Sequence, residues 1–230
     1  MTKAVVLLSG GLDSTTCMAV AASKGYELYP VSFDYHQRHL IELDSAKKIA
    51  AHYGSARHLI IKTNMESIGG SALTDENISV PEGALDHSEN DVPITYVPAR
   101  NLIFLSYALG YAETLAAPYV YIGVNSVDYS GYPDCRPEFI QAFQNVADKA
   151  TKISAAENKK ITVVAPLLNL SKKEIILLAK KLGAPLELTR SCYNGGEVAC
   201  GICESCKLRL QGFSQAGIVD PIPYASGQKR

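Results

Sequence analysis

The sequence predicts an α/β fold in which a doubly wound parallel sheet is followed by a small cysteine-rich appendage. Strand-like and helix-like segments alternate along most of the 230 residues, which is typical of a parallel sheet covered by helices on both faces. A glycine-rich turn follows the first apolar run directly, and four cysteines lie close together near the end of the chain. We therefore expect one α/β domain over residues 1–186 and a metal-binding segment over residues 187–230 packed on it.

Each predicted element has its own sequence signal. Short runs of aliphatic and aromatic residues predict strands at residues 4–8, 28–33, 57–61, 119–122 and 161–164. Helical patterns occur at residues 16–20, 41–53, 101–115, 137–156 and 171–182. Pro137 begins the fourth helix, and a capping-box pattern from Ser171 to Glu174 begins the fifth. Residues 64–96 are rich in turn formers and acids, which predicts a long surface excursion.

The glycine turn between the first strand and the first helix predicts an anion-binding loop. Paired glycines let backbone N–H groups approach a ligand, and the helix N-terminus adds unpaired donors and partial positive charge. Asp13 would repel a phosphate unless a divalent cation lies between them, so it indicates a Mg²⁺ contact. A capped turn that binds nothing is the alternative. The residues expected to contact the anion are Leu8, Ser9, Gly10, Gly11, Leu12, Asp13, Ser14 and Thr15.

Four cysteines near the C-terminal end predict a metal site. They are Cys192, Cys200, Cys203 and Cys206, and the last three form an overlapping double C-x-x-C. Four thiolates at this spacing can surround one tetrahedral ion and leave no open position, which is typical of structural Zn²⁺. An iron–sulfur cluster uses the same ligands, a redox dithiol needs only two of them, and unliganded thiols are the remaining alternative.

Composition and charge limit the classes of function. The chain is 47% hydrophobic and 20% charged, which is ordinary for a globular protein, and its formal net charge is −1. This near-neutral charge indicates no direct binding of nucleic acid, and no apolar run is long enough to span a membrane. The N-terminus leads directly into a strand without a signal peptide, so we expect a cytoplasmic protein with reduced cysteines.

The loop has neither the lysine of a Walker A loop nor G-x-G-x-x-G spacing. Its string S-G-G-x-D-S-T at residues 9–15 resembles the PP-loop of the ATP pyrophosphatase superfamily. With further motifs in order, nearly the whole chain resembles the QueC family of 7-cyano-7-deazaguanine synthases. His36 and Ala99 stand where that family usually has glycine, and we expect a slight backbone shift there. The motifs are Phe33-Asp34-Tyr35, Gln37-Arg38-His39, Val97-Pro98, Arg100-Asn101, residues 130–136, Cys192-Tyr193-Asn194-Gly195 and residues 200–209.

This resemblance implies an adenine nucleotide alpha-hydrolase-like fold and a ligase that makes 7-cyano-7-deazaguanine, a queuosine precursor, from 7-carboxy-7-deazaguanine and ammonia. ATP with Mg²⁺ would activate the carboxylate and then the amide, so that ammonia can attack and the nitrile can form. The cysteines would hold one structural Zn²⁺ per chain. The direct partners would be small molecules, without nucleic acid or membrane. The apolar tail after the cysteines favours a homodimer.

The resemblance also implies roles for site residues. Asp13, Arg100 and Lys172 form the implied catalytic set, in which the two cations neutralise phosphate or carboxylate charge. A surface arginine and a solvated helix lysine are the alternatives for the cations. Asp128 or Asp134 can accept the N–H and amino groups of the deazaguanine edge, unless both serve only the turn. The full implied substrate set is Gln37, Arg38, Asp128, Tyr132, Asp134 and Arg136.

Two other functions fit parts of the sequence. A PP-loop enzyme that thiolates tRNA would use cysteines for sulfur transfer or a cluster, but the net charge of −1 does not favour the nucleic-acid surface it needs. A nucleotide-sensing or zinc-ribbon module needs no catalytic residues, whereas several polar motifs here follow strands whose ends meet at one cleft. Consumption of ATP with carboxydeazaguanine and ammonia separates the three functions.

Overall fold

Five parallel strands form the sheet at the centre of the computed structural model, which describes residues 1–35, 41–75, 77–81, 92–125, 131–157 and 159–225. The strand order is β3-β2-β1-β4-β5, so β1 lies in the middle and the order reverses between β1 and β4. Ligands of such sheets bind beyond the carboxyl ends of the strands at this reversal. The strands are β1 Lys3–Leu7, β2 Glu27–Asp34, β3 Leu59–Lys62, β4 Tyr119–Tyr121 and β5 Thr162–Val164.

Helices cover both faces of the sheet, as the sequence predicts. Residues of β1 alternate between the two layers, with Val5 and Leu7 in one core and Ala4 and Val6 in the other. The first core receives buried side chains from α3 and α4, and the second receives them from α1, α2 and α6. The helices in the described residues are α1 Leu12–Ser23, α2 Ile41–His52, α3 Arg100–Leu115, α4 Pro137–Ala150, α5 Lys152–Glu157, α6 Lys172–Lys181 and α7 Glu204–Ala216.

Two sequence expectations about the elements need correction. The single helix predicted at residues 137–156 is divided at Thr151, whose backbone is extended and whose hydroxyl accepts a hydrogen bond from the Ser154 N–H. Threonine favours such capping positions over a helix interior, which explains the break. The predicted surface excursion at 64–96 is partly packed, since Met65 and Leu73 are buried in the core. Residues 76 and 82–91 lie outside the described part of the chain.

A buried ion pair holds parts of the C-terminal segment together. The Arg209 guanidinium on α7 donates to both carboxylate oxygens of Asp220, over 2.7 and 2.9 Å, and to Thr189 Oγ1 over 2.7 Å. The Tyr224 hydroxyl donates to Asp220 over 2.7 Å. Both charges are almost fully buried, and breaking such a pair typically costs about 3–5 kcal/mol. This network joins α7 to Thr189 before the cysteines and to the tail that follows the helix.

Within the described residues, no helix combines the length and the apolar character that crossing a bilayer requires.

The capping box predicted at the start of the last helix of the sheet domain is confirmed. Ser171 Oγ accepts from the Glu174 N–H, and the Glu174 carboxylate accepts from the Ser171 N–H over 2.8 Å. This reciprocal cap fixes the first turn of α6, which carries Lys172.

Replacing Gly123, which follows β4, should disturb the start of α1. A Cβ atom at this position would lie 2.9 Å from the Asp13 carbonyl oxygen, so Gly123→Ala forces backbone atoms apart. We expect a loss of about 1–3 kcal/mol in the free energy of unfolding, measured by urea denaturation. The matched control is Gly110→Ala inside α3, where a Cβ meets nothing within 4 Å. The free energy of unfolding of Gly110→Ala should rise by up to about 1 kcal/mol. Equal changes in the free energy of unfolding of both variants would contradict the predicted collision at Gly123.

Candidate active site

The loop after β1 fits tightly against its neighbours. Gly10 adopts a φ of +90°, and a Cβ there would lie 2.3 Å from the Glu42 carbonyl oxygen of α2. Ser9 Oγ lies 3.0 Å from Ser14 Oγ, and the Thr15 hydroxyl donates to the Gly11 carbonyl over 2.7 Å. Gly11 caps α1 without a side-chain hydrogen bond to the first turn. The loop is thus internally braced, while the N-terminus of α1 keeps the uncapped character of an anion site.

A cavity of about 310 Å³ opens beside this loop at the carboxyl ends of β1, β2 and β4. Its wall includes most of the predicted anion-binding residues, but Gly10 and Thr15 do not line it. Thr15 is fully buried behind the loop. The predicted site residues that line the cavity are Leu8, Ser9, Gly11, Leu12, Asp13, Ser14, Arg100, Tyr132 and Lys172.

Asp13 and Lys172 form an ion pair at the cavity wall. Lys172 Nζ donates to both carboxylate oxygens of Asp13, over 2.9 and 2.8 Å. Both side chains are partly buried, with 27% of Asp13 and 16% of Lys172 exposed. Lys172 is therefore not a solvated helix lysine, because α6 directs its ammonium to the start of α1. The pair places one positive and one negative group beside the anion site.

Arg100 also lies at this cavity, at the start of α3. Its Nη1 donates to the Tyr35 hydroxyl over 3.4 Å. The preceding Ala99 has a φ of 55°, in the left-handed region that glycine adopts easily and alanine adopts at a cost of about 1–2 kcal/mol. A left-handed conformation is one that glycine adopts easily, and the slight backbone shift expected at Ala99 stays a prediction.

Asp134 anchors the start of α3 from a buried position. Its Oδ2 accepts from the Asn101 N–H over 2.9 Å, and its carbonyl oxygen accepts from Asn101 Nδ2 over 3.1 Å. Burial raises the pKa of Asp134, against the opposing effect of the Asn101 hydrogen bond. Asp134 does not line the cavity, whereas the neighbouring Tyr132 does and donates its hydroxyl to Thr95 over 2.9 Å. This geometry supports a positioning role for Asp134.

The other predicted substrate contacts are either outside the described residues or absent from the cavity wall. Gln37, Arg38 and Asp128 fall outside the described residues, as does His36. Arg136 is the N-cap residue of α4 and does not line the cavity. The structure therefore brings together the loop, Arg100, Tyr132 and Lys172 from the predicted set.

The four predicted cysteines converge on one point. Their sulfur atoms all lie within 4.8 Å of one another. The Cys200 N–H donates to Cys192 Sγ, and the Cys203 N–H donates to Cys200 Sγ, each over 3.3 Å. Backbone N–H groups that face sulfur support thiolates, and four thiolates are a donor set that fits a tetrahedral ion. This cluster could hold a metal ion, as the spacing predicts.

The cysteine segment also builds part of the cavity wall, which the sequence reasoning missed. Ser191 and Tyr193 flank Cys192, and Ser205 precedes Cys206, and all three line the cavity. The Arg190 N–H donates to the Gly10 carbonyl over 2.8 Å, so the segment also touches the loop. In the sequence, Ser191, Tyr193 and Ser205 are marked only by their position beside the cysteines. The fold is needed to show that this position faces the loop.

Comparison with solved structures supports the same class of fold. The chain is similar to a 4-thiouridine synthetase in complex with RNA and bound ATP, with a TM-score of 0.54, 19% identity, and coverage of 94% of this chain and 50% of that chain. It is also similar to an NMN synthetase from Francisella tularensis, with a TM-score of 0.50, 14% identity, and coverage of 94% and 78%. The parallel sheet and the loop after β1 define a PP-loop protein of the adenine nucleotide alpha-hydrolase-like fold.

Sequence relatives narrow this class. Residues 3–217 match the family described as "Queuosine biosynthesis protein QueC". A 7-cyano-7-deazaguanine synthase 2 of Desulfitobacterium hafniense strain Y51 is 60% identical over 227 residues, covering 98% of this chain and 94% of the relative. A 7-cyano-7-deazaguanine synthase of Acetivibrio thermocellus is 58% identical over 224 residues, covering 97% and 98%. The chain belongs to the QueC family, and the resemblance predicted from its motifs is confirmed.

Removing one cysteine of the cluster should remove the metal. Cys203→Ser replaces a buried thiolate with a weaker ligand, so we expect the metal content to fall from about one ion per chain to near zero. The apparent melting temperature should fall as well, because binding of a structural ion contributes folding free energy. The control is Cys135→Ser, which makes the same replacement at a cysteine outside the cluster. Elemental analysis showing full metal in Cys203→Ser would contradict the assignment.

Proposed function

We propose that this protein is an ATP-dependent ligase that converts 7-carboxy-7-deazaguanine and ammonia into 7-cyano-7-deazaguanine, in the biosynthesis of the queuosine precursor. The observation that carries the proposal is the match to the QueC family over residues 3–217. The cavity supports it, because an anion-binding loop and the cations Arg100 and Lys172 face one space there. Such a cavity can hold a nucleotide phosphate beside a carboxylate substrate.

The residues of the loop would bind the phosphates of ATP. The N-terminus of α1 supplies backbone donors, and Lys172 supplies a positive charge close to them. Asp13 orients Lys172, and when ATP enters with Mg²⁺ the carboxylate of Asp13 is a suitable ligand for that ion. Arg100, held by Tyr35, can pair with the substrate carboxylate and keep it in line with the phosphate under attack.

The chemistry needs activation rather than a protein nucleophile. A carboxylate oxygen leaves poorly, and transfer of an adenylyl or phosphoryl group from ATP makes it a good leaving group. Ammonia then forms an amide, and a second activation allows elimination to the nitrile. Burial, and secondarily the charge of Asp134, raise the pKa of Cys135 to about 12, so this cavity thiol stays protonated at neutral pH. Its protonation fits a role in lining the pocket.

We assign recognition of the deazaguanine base to the aromatic residues of the cavity wall. Tyr132 offers a ring for stacking and lines the same cavity as Phe33 and Phe104, whose ring centroids are 3.7 Å apart. With the carboxylate of Asp134 engaged by Asn101, Asp128 is the better candidate to accept the N–H and amino groups of the base. Gln37 and Arg38 complete the proposed substrate contacts, whereas Arg136 is absent from the cavity wall.

The proposed metal of the cysteine cluster is one structural Zn²⁺ per chain. All four donors are thiols, so none of the positions of a tetrahedral ion is left for substrate. The ion would stabilise the segment that carries Ser191, Tyr193 and Ser205 to the cavity wall. The ion would thus contribute to the reaction only by holding this part of the cavity wall in place.

We further propose a cytoplasmic homodimer that acts on small molecules and does not bind nucleic acid directly. In the tail after the cysteines, 68% of Val219 is exposed, which offers one apolar side chain for contact with a second copy. The net charge of −1 does not favour a nucleic-acid surface. Light scattering should give the mass of a dimer for the wild type. For Val219→Asp it should give a lower average mass, because the charge weakens the apolar contact.

The direct test of the function is a product assay. The purified protein is incubated with 7-carboxy-7-deazaguanine, ammonium and Mg²⁺–ATP, and products are identified by mass spectrometry. We expect the nitrile to form with the amide as intermediate, and no nitrile when ammonium or ATP is omitted. Formation of neither amide nor nitrile by a folded, metal-containing preparation would overturn the proposal.

The role of Lys172 can be separated from a general charge effect. Lys172→Ala removes a cation beside the phosphate site, and we expect kcat to fall about 10²–10³-fold, in the range for one lost electrostatic contact in a transition state. The matched control is Lys173→Ala, the next residue of α6, whose side chain is exposed. The control should keep kcat within about threefold, since surface substitutions have small effects. Comparable losses in both variants would remove the proposed role.

A further inference from the structure

The proposed reaction requires a proton acceptor next to the nitrogen. When ammonia attacks the activated carboxyl carbon, the new C–N bond leaves a positive charge on nitrogen, and one proton must depart before the amide forms. The amide then loses both of its N–H protons as the nitrile forms. Each departure is faster when a positioned base takes the proton, typically by about 10²–10⁴-fold. A base at one point of the cavity can serve all three transfers if it returns each proton to water.

Few of the described cavity residues can act as this base. Among the lining residues that the structure describes, the carboxylates are Asp13 and Glu42, and histidine is absent. Both oxygens of Asp13 accept from Lys172. Burial raises the pKa of Tyr35, and burial and Asp134 raise that of Cys135, so these groups are protonated at neutral pH. Glu42 remains.

Glu42 has the surroundings of a base. It lies in the first turn of α2, directly against the loop, since its carbonyl oxygen is the atom that a Cβ on Gly10 would meet. Its side chain is half-buried at the cavity, and in the described part of the chain no hydrogen-bond donor engages its carboxylate. Arg100 acts on it electrostatically from the same wall. Burial raises the pKa of Glu42 to about 7, although the charge of Arg100 opposes the shift.

We propose that Glu42 is the general base that removes protons from the substrate nitrogen in both halves of the reaction. The assignment rests on the proposed function, in which Arg100 binds the substrate carboxylate. The carbon atom of this carboxylate becomes the carbon atom of the nitrile. A carboxylate beside Arg100 is then close to the nitrogen that attacks this carbon. Its pKa near neutrality lets it accept a proton and release it again.

The proton and electron movements balance. In the first half, the nitrogen lone pair forms the C–N bond, Glu42 takes one N–H proton, and the bond from carbon to the activating phosphate ester oxygen breaks with its electron pair. In the second half, ATP activates the amide oxygen. Glu42 then takes the two N–H protons in turn, the N–H electron pairs become C–N π bonds, and the ester oxygen leaves with its pair. Glu42 passes each proton to water and is regenerated.

The test separates activation from nitrogen chemistry. In a single turnover without ammonia, consumption of ATP that depends on carboxydeazaguanine reports activation alone. We expect Glu42→Gln to keep this activation within about threefold and to slow amide and nitrile formation by about 10²–10⁴-fold. The matched control is Asp44→Asn, which removes a charge from an exposed position of the same helix and should leave both steps unchanged.

A second variant distinguishes a base from a structural carboxylate. Glu42→Ala leaves space for a small acid, so added formate should restore amide formation in proportion to its concentration, while acting on neither activation nor the wild type. The proposal is overturned if Glu42→Gln retains nitrogen transfer, if activation and nitrogen transfer fall equally, or if formate has no effect on Glu42→Ala. Absence of amide and nitrile with the wild type would instead refute the proposed function itself.

Discussion

The geometry of the site depends on a lack of space around the loop after β1. A side chain on Gly10 would collide with α2 at a distance of 2.3 Å, and one on Gly123 would collide with the start of α1 at 2.9 Å. The loop is therefore held between α2 and the end of β4, with its backbone in contact on both sides. Because protein interiors are close-packed, this contact fixes the positions of Asp13 and Glu42 relative to each other.

The C-terminal segment completes the site by reaching back to this loop. The Arg190 N–H donates to the Gly10 carbonyl over 2.8 Å, and the buried Arg209–Asp220 ion pair joins α7 to the tail inside this segment. Between them lies the cysteine cluster, which could hold a metal ion. Metal ligation and the shape of the cavity are consequently linked, since one short stretch of chain supplies both cysteines and wall residues.

Local patterns were sufficient for much of this structure, and long-range contacts account for what they missed. The strands, the capping box at Ser171 and the cysteine cluster follow from short periodic or spaced signals, and all are present. The break of the fourth helix at Thr151 was missed because its apolar pattern continues across the break. The anchoring of α3 by Asp134 and the position of Glu42 arise from residues far apart in the chain. No local pattern encodes such contacts, so they required the fold.

In the proposed reaction, ATP activates the substrate carboxylate at this loop, so that both carboxylate oxygen atoms leave bound to phosphorus. Carboxydeazaguanine labelled with ¹⁸O in both carboxylate oxygens tests this directly. After conversion to the nitrile, mass spectrometry of the released AMP or phosphate should show the label in the phosphorus-containing product of each half-reaction. Recovery of the label in water, with an unlabelled phosphorus-containing product, would contradict the account.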